Sequence, residues 1–279
     1  MDLHELKERL GPNLSRWLVA AVLLPPIVYS AVTDHYLPFF LVMLAIGALT
    51  WWEYSRNLLG HDRIGLFGLG AAGWALTAAG AYFYGPSGQS IGLVGAISMG
   101  AVYAMWALER ESGPVLLNLL GRFALGHIYL SFLLSFFLLL KKLDAGGLWL
   151  VYVLVVTIAA DTAAFYVGSK VKGPKLCPKI SPNKTVSGLF GGAAGAMAVS
   201  AACAWFLSAS LPLLAVLGLF LGFWGAVGDL FESALKRAIG IKDSSGLLLG
   251  HGGFWDRIDS LLFNIAPVYV VAEMVMNSL

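Results

Sequence analysis

The sequence predicts an all-α, polytopic integral membrane protein with about nine transmembrane helices. Three observations indicate this fold class: hydrophobic residues make up 58% of the 279 residues, charged residues make up only 12%, and the mean hydropathy is +0.78. Such a composition excludes an ordinary soluble domain. The formal net charge of only +2, with no basic arm, also predicts that nucleic acid is not a partner.

The helices are placed by length, because crossing the hydrocarbon core of a bilayer takes about 20 apolar residues. Segments of suitable length and polarity recur along the whole chain. The predicted spans are 17–33, 37–53, 65–84, 90–108, 119–140, 147–168, 188–208, 211–229 and 258–277. We therefore expect an N-terminal region of about five spans, residues 1–145, and a C-terminal region, residues 146–279, with two polar loops.

The distribution of Lys and Arg predicts which side of the membrane each loop faces. With nine spans, 16 of the 18 Lys and Arg residues fall on the side of the N-terminus, and only Lys141 and Lys142 fall on the other. Cytoplasmic loops are enriched in Lys and Arg. The N-terminus and both polar loops of the C-terminal region are thus expected in the cytoplasm, and the C-terminus outside.

The densest group of polar residues lies between 228 and 260. Five of its side chains follow the spacing i, i+3, i+4, i+7 and i+8, which places them on one face of a helix: Asp229, Glu232, Ser233, Lys236 and Arg237. A turn at 242–246 follows. His251 then stands beside Gly252 and Gly253, which let the backbone approach a ligand closely.

These residues resemble the signature of the phosphatidate cytidylyltransferase family, also called CDP-diacylglycerol synthases, which are integral membrane enzymes. The resemblance rests on Ser-Ala-Leu-Lys-Arg at 233–237, Lys-Asp at 242–243 and Gly-His-Gly-Gly-Phe-Trp-Asp-Arg-Ile-Asp at 250–259. It extends to Asp161 and to Ser-Pro-Asn-Lys-Thr at 181–185, and so covers roughly the C-terminal half. Leu249 and Val186-Ser187 depart from the pattern of the family, which often has proline at the first position and tryptophan at the start of the second.

The resemblance implies CTP and phosphatidate as substrates, a lipid bilayer as the environment, and Mg²⁺ as the cofactor, with room for a second cation. Hard oxygen ligands suit Mg²⁺. The expected metal ligands are Asp229, Asp256 and Asp259. The expected catalytic residues are Asp161, Lys184, Lys242, Asp243, Asp256 and Arg257. The expected substrate-binding residues are Ser181, Asn183, Lys184, Thr185, Lys236, Arg237, His251, Gly252 and Gly253.

The residues also allow other interpretations. The lysines of 168–185 are typical of a cytoplasmic loop near anionic lipid, and the acidic residues could form structural ion pairs. A related CTP-dependent membrane enzyme, such as a polyprenol kinase or a transferase acting on another lipid phosphate, is the nearest alternative function. An ion-coupled transporter would also bury Asp161. Glycine pairs in spans seven and eight indicate internal helix packing or a homodimer seam. The expected location is a bacterial-type inner membrane, with the active site facing the cytoplasm.

Overall fold

The protein is almost entirely helical, as its composition predicts. The structure, a computed structural model, describes residues 21–22, 25–60, 64–107, 112–248 and 252–277. Within these ranges, seven helices are long and apolar enough to cross a membrane. The chain is therefore a mainly α-helical, multi-pass membrane protein.

After a helical segment at 25–32, the elements follow one another with short connections, apart from the longer stretch 239–254 before the last helix. They are α1 (Tyr36–Tyr54), α2 (Ile64–Ala107), α3 (Gly113–Gly126), α4 (Leu133–Lys142), α5 (Gly146–Val171), β1 (Lys175–Cys177), β2 (Ser181–Thr185), α6 (Val186–Ala202), α7 (Leu211–Ala238) and α8 (Trp255–Asn277). A π-helical turn, Ser55–Leu59, extends α1, and a second one, His127–Phe132, joins α3 to α4.

Helix α2 is a pair of antiparallel arms. Its 44 residues would reach about 66 Å if straight, roughly twice the thickness of a hydrocarbon core. The helix breaks at Gly85, where φ is 66° and ψ is −149°, and Pro86 follows. The arms then lie backbone to backbone: a Cβ on Gly80 would overlap the carbonyl oxygen of Gly88, and one on Gly92 would lie 2.6 Å from the Cα of Thr77. The two arms correspond to the spans 65–84 and 90–108 that the sequence predicts, and the number of spans itself stays a prediction.

This close approach makes Gly80 sensitive to a single methyl group. We expect Gly80→Ala to lower the free energy of unfolding by about 1–3 kcal/mol, because the added Cβ forces the arms apart. A Cβ on Gly68, in the same helix, would meet no atom within 4 Å, so Gly68→Ala is the matched control and should keep or slightly raise stability. Thermal unfolding in detergent measures both variants. Equal melting temperatures for the two variants would contradict the close packing of the two arms of α2.

The structure describes the first predicted span, 17–33, only in part: residues 21–22 and 25–32 are helical. The total of nine spans and the orientation of the termini therefore stay predictions. The chain divides into two compact units: residues 1–139 with 243–257, and residues 140–242 with 258–279. The two regions that the sequence predicts, 1–145 and 146–279, stay a prediction. The segment 243–257, however, belongs with the N-terminal helices.

In the first unit, several polar side chains of the helices find partners inside the protein, which polar groups in lipid require. The indole of Trp51 donates to the hydroxyl of Ser131 at 2.8 Å. Ser131 also lies 3.0 Å from the imidazole of His127. The guanidinium of Arg122 donates to the carbonyl of Leu58 at 2.8 Å. These contacts provide partners for the arginine of α3 and for one ring nitrogen of His127, whereas its Nε2 is buried with no hydrogen-bond partner among the described residues.

In the second unit, glycines let α5, α6 and α7 pack at short distance. A Cβ on Gly195 would lie 2.5 Å from the Cβ of Ala163 on α5, and one on Gly222 would lie 2.5 Å from the Cα of Ala193 on α6. Close contacts of this kind drive helix association in lipid. The glycine pairs of the sequence thus serve internal packing in this unit. A homodimer stays a prediction.

Candidate active site

Three acidic side chains meet in the second unit. Asp229 and Glu232 lie three residues apart on α7, so they project from the same helix face. Asp259 comes from α8, and one carboxylate oxygen from each of the three residues lies within 4.8 Å of the others. Helix α8 comes this close because position 228 is glycine: a Cβ there would be 2.8 Å from the carbonyl oxygen of Asp259.

Two lysines contact this acidic group. Lys184, from β2, forms an ion pair with Asp229, and the two side chains are each 28% exposed. Lys236 lies one turn beyond Glu232 on α7, and its ammonium is 3.0 Å from the carboxylate. Glu232 and Lys236 are both buried. Opposite charges in contact offset much of the cost of removing each from water.

The short hairpin of β1 and β2 holds Lys184 in place. The strands pair antiparallel, with Lys175 opposite Thr185 and Cys177 opposite Ser181. Thr185 is the N-cap of α6: its hydroxyl accepts a hydrogen bond from the amide of Gly188 at 3.1 Å. Lys184 is thereby fixed immediately before a helix N-terminus. The sequence predicts a loop here, because three prolines interrupt the segment and leave no pattern typical of strands.

Arg237 connects the end of α7 to this hairpin. Its guanidinium donates to the carbonyl of Ile180 at 3.3 Å and to that of Ile241 at 3.0 Å. The side chain is nevertheless exposed, as is Asn183 in β2. The binding roles that the sequence predicts for Ser181, Asn183 and Arg237 stay predictions.

A small cavity of about 30 Å³, lined by apolar residues and a few polar ones, lies among α5 to α8 in the second unit. Asp161 and Thr157 line it from α5, and Ser260 and Asn264 line it from α8. The amide of Asn264 donates to the hydroxyl of Thr157 at 3.0 Å. Among the described residues, its carbonyl oxygen has no hydrogen-bond partner although it is fully buried. A cavity of this size holds a water molecule, which would satisfy that oxygen.

Asp161 belongs to the same group of charges. It lies within electrostatic range of Asp259, which also interacts with Asp229 and Lys184. Asp161 is exposed on the protein surface yet sits within the apolar helix α5. The structure therefore brings together five of the residues that the sequence selects: Asp161, Lys184, Asp229, Lys236 and Asp259. It adds Glu232 to the acidic group.

Apart from the residues of β2 and of α7 described above, the predicted residues belong to the segment 243–257 of the first unit or adjoin it. The carboxylate of Asp256 accepts hydrogen bonds from the amides of Ser244, at 3.0 Å, and Gly253, at 2.8 Å. Gly252 has φ of +78°, which favours glycine. Lys242, Asp243 and Arg257 are exposed. His251 and Leu249 lie outside the described residues.

The predicted pairing of Asp229 with Asp256 on one metal ion stays a prediction, because these residues belong to different compact units. Within the second unit alone, the donor set fits Mg²⁺. Asp229, Glu232 and Asp259 supply carboxylate oxygens at short mutual distance, and Mg²⁺ prefers such ligands together with water and phosphate.

Comparison with known proteins identifies the family of this chain. A model of the cytidylyltransferase family matches residues 14–275, nearly the whole chain. The chain belongs to the cytidylyltransferase family. The phosphatidate cytidylyltransferase of Helicobacter pylori is 30% identical over 269 residues, which cover 95% of this chain and 94% of that protein.

Two further relatives of this cytidylyltransferase family member carry the same name and match it over shorter segments. The Bacillus subtilis protein is 40% identical over 159 residues, 55% of this chain and 58% of that protein. The Brucella suis protein is 41% identical over 152 residues, 53% of this chain and 55% of that protein. In these two comparisons the match spans little more than half the length of the relative. The resemblance that the sequence shows to the family is thus confirmed.

Two residues of this cytidylyltransferase were not selected from its sequence. Glu232 lies three residues after Asp229 on the same helix face, and this spacing could have identified it as a third metal-ligand candidate. Glu53, on α1, contacts the segment 243–257. The sequence signal for Glu53 is an isolated glutamate near the end of an apolar helix. Nothing in the local sequence indicates which residues it contacts.

Proposed function

We propose that this protein transfers a cytidylyl group from CTP to phosphatidate. A phosphate oxygen of phosphatidate bonds to the α-phosphorus of CTP, and the bond from that phosphorus to the leaving oxygen breaks. The products are CDP-diacylglycerol and pyrophosphate. Family membership and the names of three relatives support this reaction.

The observation that carries the proposal is the group of Asp229, Glu232 and Asp259 with Lys184 and Lys236 beside them. Asp229 and Asp259 would hold Mg²⁺, with Glu232 as a third oxygen donor. Asp256 is a further metal ligand expected from the resemblance to the family. When bound, Mg²⁺ would neutralise triphosphate oxygens and so favour departure of pyrophosphate.

The chain's own cations would align two anionic substrates. The phosphate oxygen of phosphatidate is already negatively charged at neutral pH, so the reaction requires orientation and charge neutralisation more than a strong base. Lys184 precedes the N-terminus of α6, where amides and an ammonium can face the same phosphate. Exposed Lys242 and Arg257 would contact the triphosphate from the aqueous side.

The location of the reaction follows from the distribution of basic residues. With nine spans, the loops that carry Lys184 and Lys242 face the cytoplasm, where CTP is found. Phosphatidate would enter from the inner leaflet while its acyl chains stay in lipid. We therefore place the protein in a bacterial inner membrane with its active site on the cytoplasmic side.

Product analysis tests the reaction directly. Purified protein is incubated with CTP labelled at its α-phosphorus, phosphatidate and Mg²⁺, and the lipid and water-soluble products are separated. We expect label in CDP-diacylglycerol and release of unlabelled pyrophosphate, with no product when Mg²⁺ is chelated. Release of labelled CDP together with phosphorylation of a lipid alcohol would instead identify a kinase. Ion flux into liposomes without nucleotide chemistry would identify a transporter.

A further inference from the structure

Glu53 is a buried acidic side chain of the first unit that is held by hydrogen bonds. It is 0% exposed and lies near the end of α1. Its carboxylate accepts four hydrogen bonds from the segment 243–257. The donors are the hydroxyl of Ser244 at 3.0 Å, the hydroxyl of Ser245 at 2.6 Å, the amide of Phe254 at 3.0 Å and the amide of Trp255 at 2.8 Å.

These contacts join the two ends of the segment. Ser244 and Ser245 lie near its beginning, whereas Phe254 and Trp255 lie at the start of α8, where the first amides lack partners within the helix. A negative charge at a helix N-terminus is stabilised by those amides and by the helix dipole. A buried carboxylate with four donors is satisfied, whereas the same group without them would be costly.

Further hydrogen bonds connect Glu53 to Asp256. Ser244 donates its hydroxyl to Glu53 and its amide to Asp256 at 3.0 Å. Asn57, one turn after Glu53, donates to the carbonyl of Ser244 at 2.7 Å. Gly253 donates its amide to Asp256 at 2.8 Å, and a Cβ at Gly253 would overlap both Glu53 and the hydroxyl of Ser244. The position of the Asp256 carboxylate thus depends on the carboxylate of Glu53.

We propose that Glu53 is a positioning residue for cytidylyl transfer, which fixes the segment that carries Asp243, Asp256 and Arg257. This role rests on the proposed function. As a positioning residue, Glu53 would not contact the reacting atoms. It acts through Ser244 and the N-terminus of α8, so its removal should alter how well the site binds Mg²⁺ and CTP, beyond any loss of folded protein.

The test is Glu53→Gln in the full-length protein. Glutamine keeps one acceptor oxygen, but its amide group would point a donor at hydroxyls and amides that are themselves donors. We expect the Mg²⁺ concentration for half-maximal activity and the KM for CTP to rise about tenfold or more. We also expect faster hydrogen–deuterium exchange in peptides covering 243–257. A general loss of folded protein would lower kcat and leave the Mg²⁺ midpoint unchanged.

Glu273→Gln is the matched control, because Glu273 is also a helix glutamate that accepts a hydrogen bond, from Tyr269 at 2.9 Å. It should match the wild type in all three measurements.

If Glu53→Gln does not fold, the double variant Ser244→Ala, Ser245→Ala replaces it, since this variant removes two hydrogen-bond donors and keeps the carboxylate of Glu53. An unchanged Mg²⁺ midpoint and unchanged exchange in the variant that folds would overturn the proposal. If the wild type shows no cytidylyl transfer, the proposed function fails, and hydrogen exchange alone decides whether Glu53 orders the segment.

Discussion

Asp229→Asn is expected to lower kcat/KM for cytidylyl transfer by about 10²- to 10³-fold, because it removes one charge from the group that would hold Mg²⁺ against the triphosphate. Asparagine has nearly the same shape and can keep the contact with the hydroxyl of Ser233, which lies 3.3 Å from the Asp229 carboxylate. It also weakens the interaction with Lys184. Steady-state kinetics at saturating Mg²⁺ measure the effect.

Two further measurements separate a chemical effect from a folding effect. The melting temperature of Asp229→Asn should stay close to that of the wild type, because the substitution relieves repulsion from Glu232 and Asp259 as it loses the ion pair. Asp144→Asn, at an exposed position between α4 and α5, is the control and should retain full activity. If Asp229→Asn kept kcat/KM within threefold of the wild type, the acidic group would not be the metal site.

Lys236→Met is expected to cause the largest loss of stability, about 3–5 kcal/mol of unfolding free energy. Lys236 and Glu232 contact each other at 3.0 Å, with side chains only 10% and 2% exposed. Methionine removes the ammonium and leaves the carboxylate buried without that counter-charge. Thermal unfolding in detergent, followed by circular dichroism, measures the change.

The double variant Glu232→Gln, Lys236→Met tests the cause of this loss. Because it removes both charges, it should recover more than half of the stability that Lys236→Met loses. Lys170→Met, at an exposed position on α5, is the single-charge control and should unfold at the temperature of the wild type. A double variant no more stable than Lys236→Met would show that the ion pair is not the source of the effect.

Local patterns in the sequence predict much of the second unit. Apolar length places α5 to α8, because a bilayer fixes the length of a spanning helix. Helical spacing places Asp229 and Lys236 on one face, and a carboxylate within an apolar helix marks Asp161 as a functional residue. Each of these signals depends on residues close together in the chain, and the helices and the shared face agree with the structure.

The contacts of Glu53 and Lys184 follow from tertiary structure and have no such local signal. Glu53 and its partner Ser244 are 191 positions apart, so no periodicity connects them. The β-hairpin that holds Lys184 has strands of three and five residues, too short for an alternating pattern to stand out. Asp259 lies beside Glu232 because Gly228 has no side chain to keep α8 away from α7. The sequence alone does not show that α8 packs against this glycine.

The hydrogen bonds of Glu53 have a consequence for biogenesis. The ribosome adds about 5–20 residues per second, so the 191 positions between Glu53 and Ser244 correspond to about 10–40 s of translation. During that interval α1 enters the bilayer with an acidic side chain whose final donors do not yet exist. The nascent N-terminal helices therefore depend on the translocon, or on lipid head groups and water, to solvate that side chain until the segment 243–257 emerges.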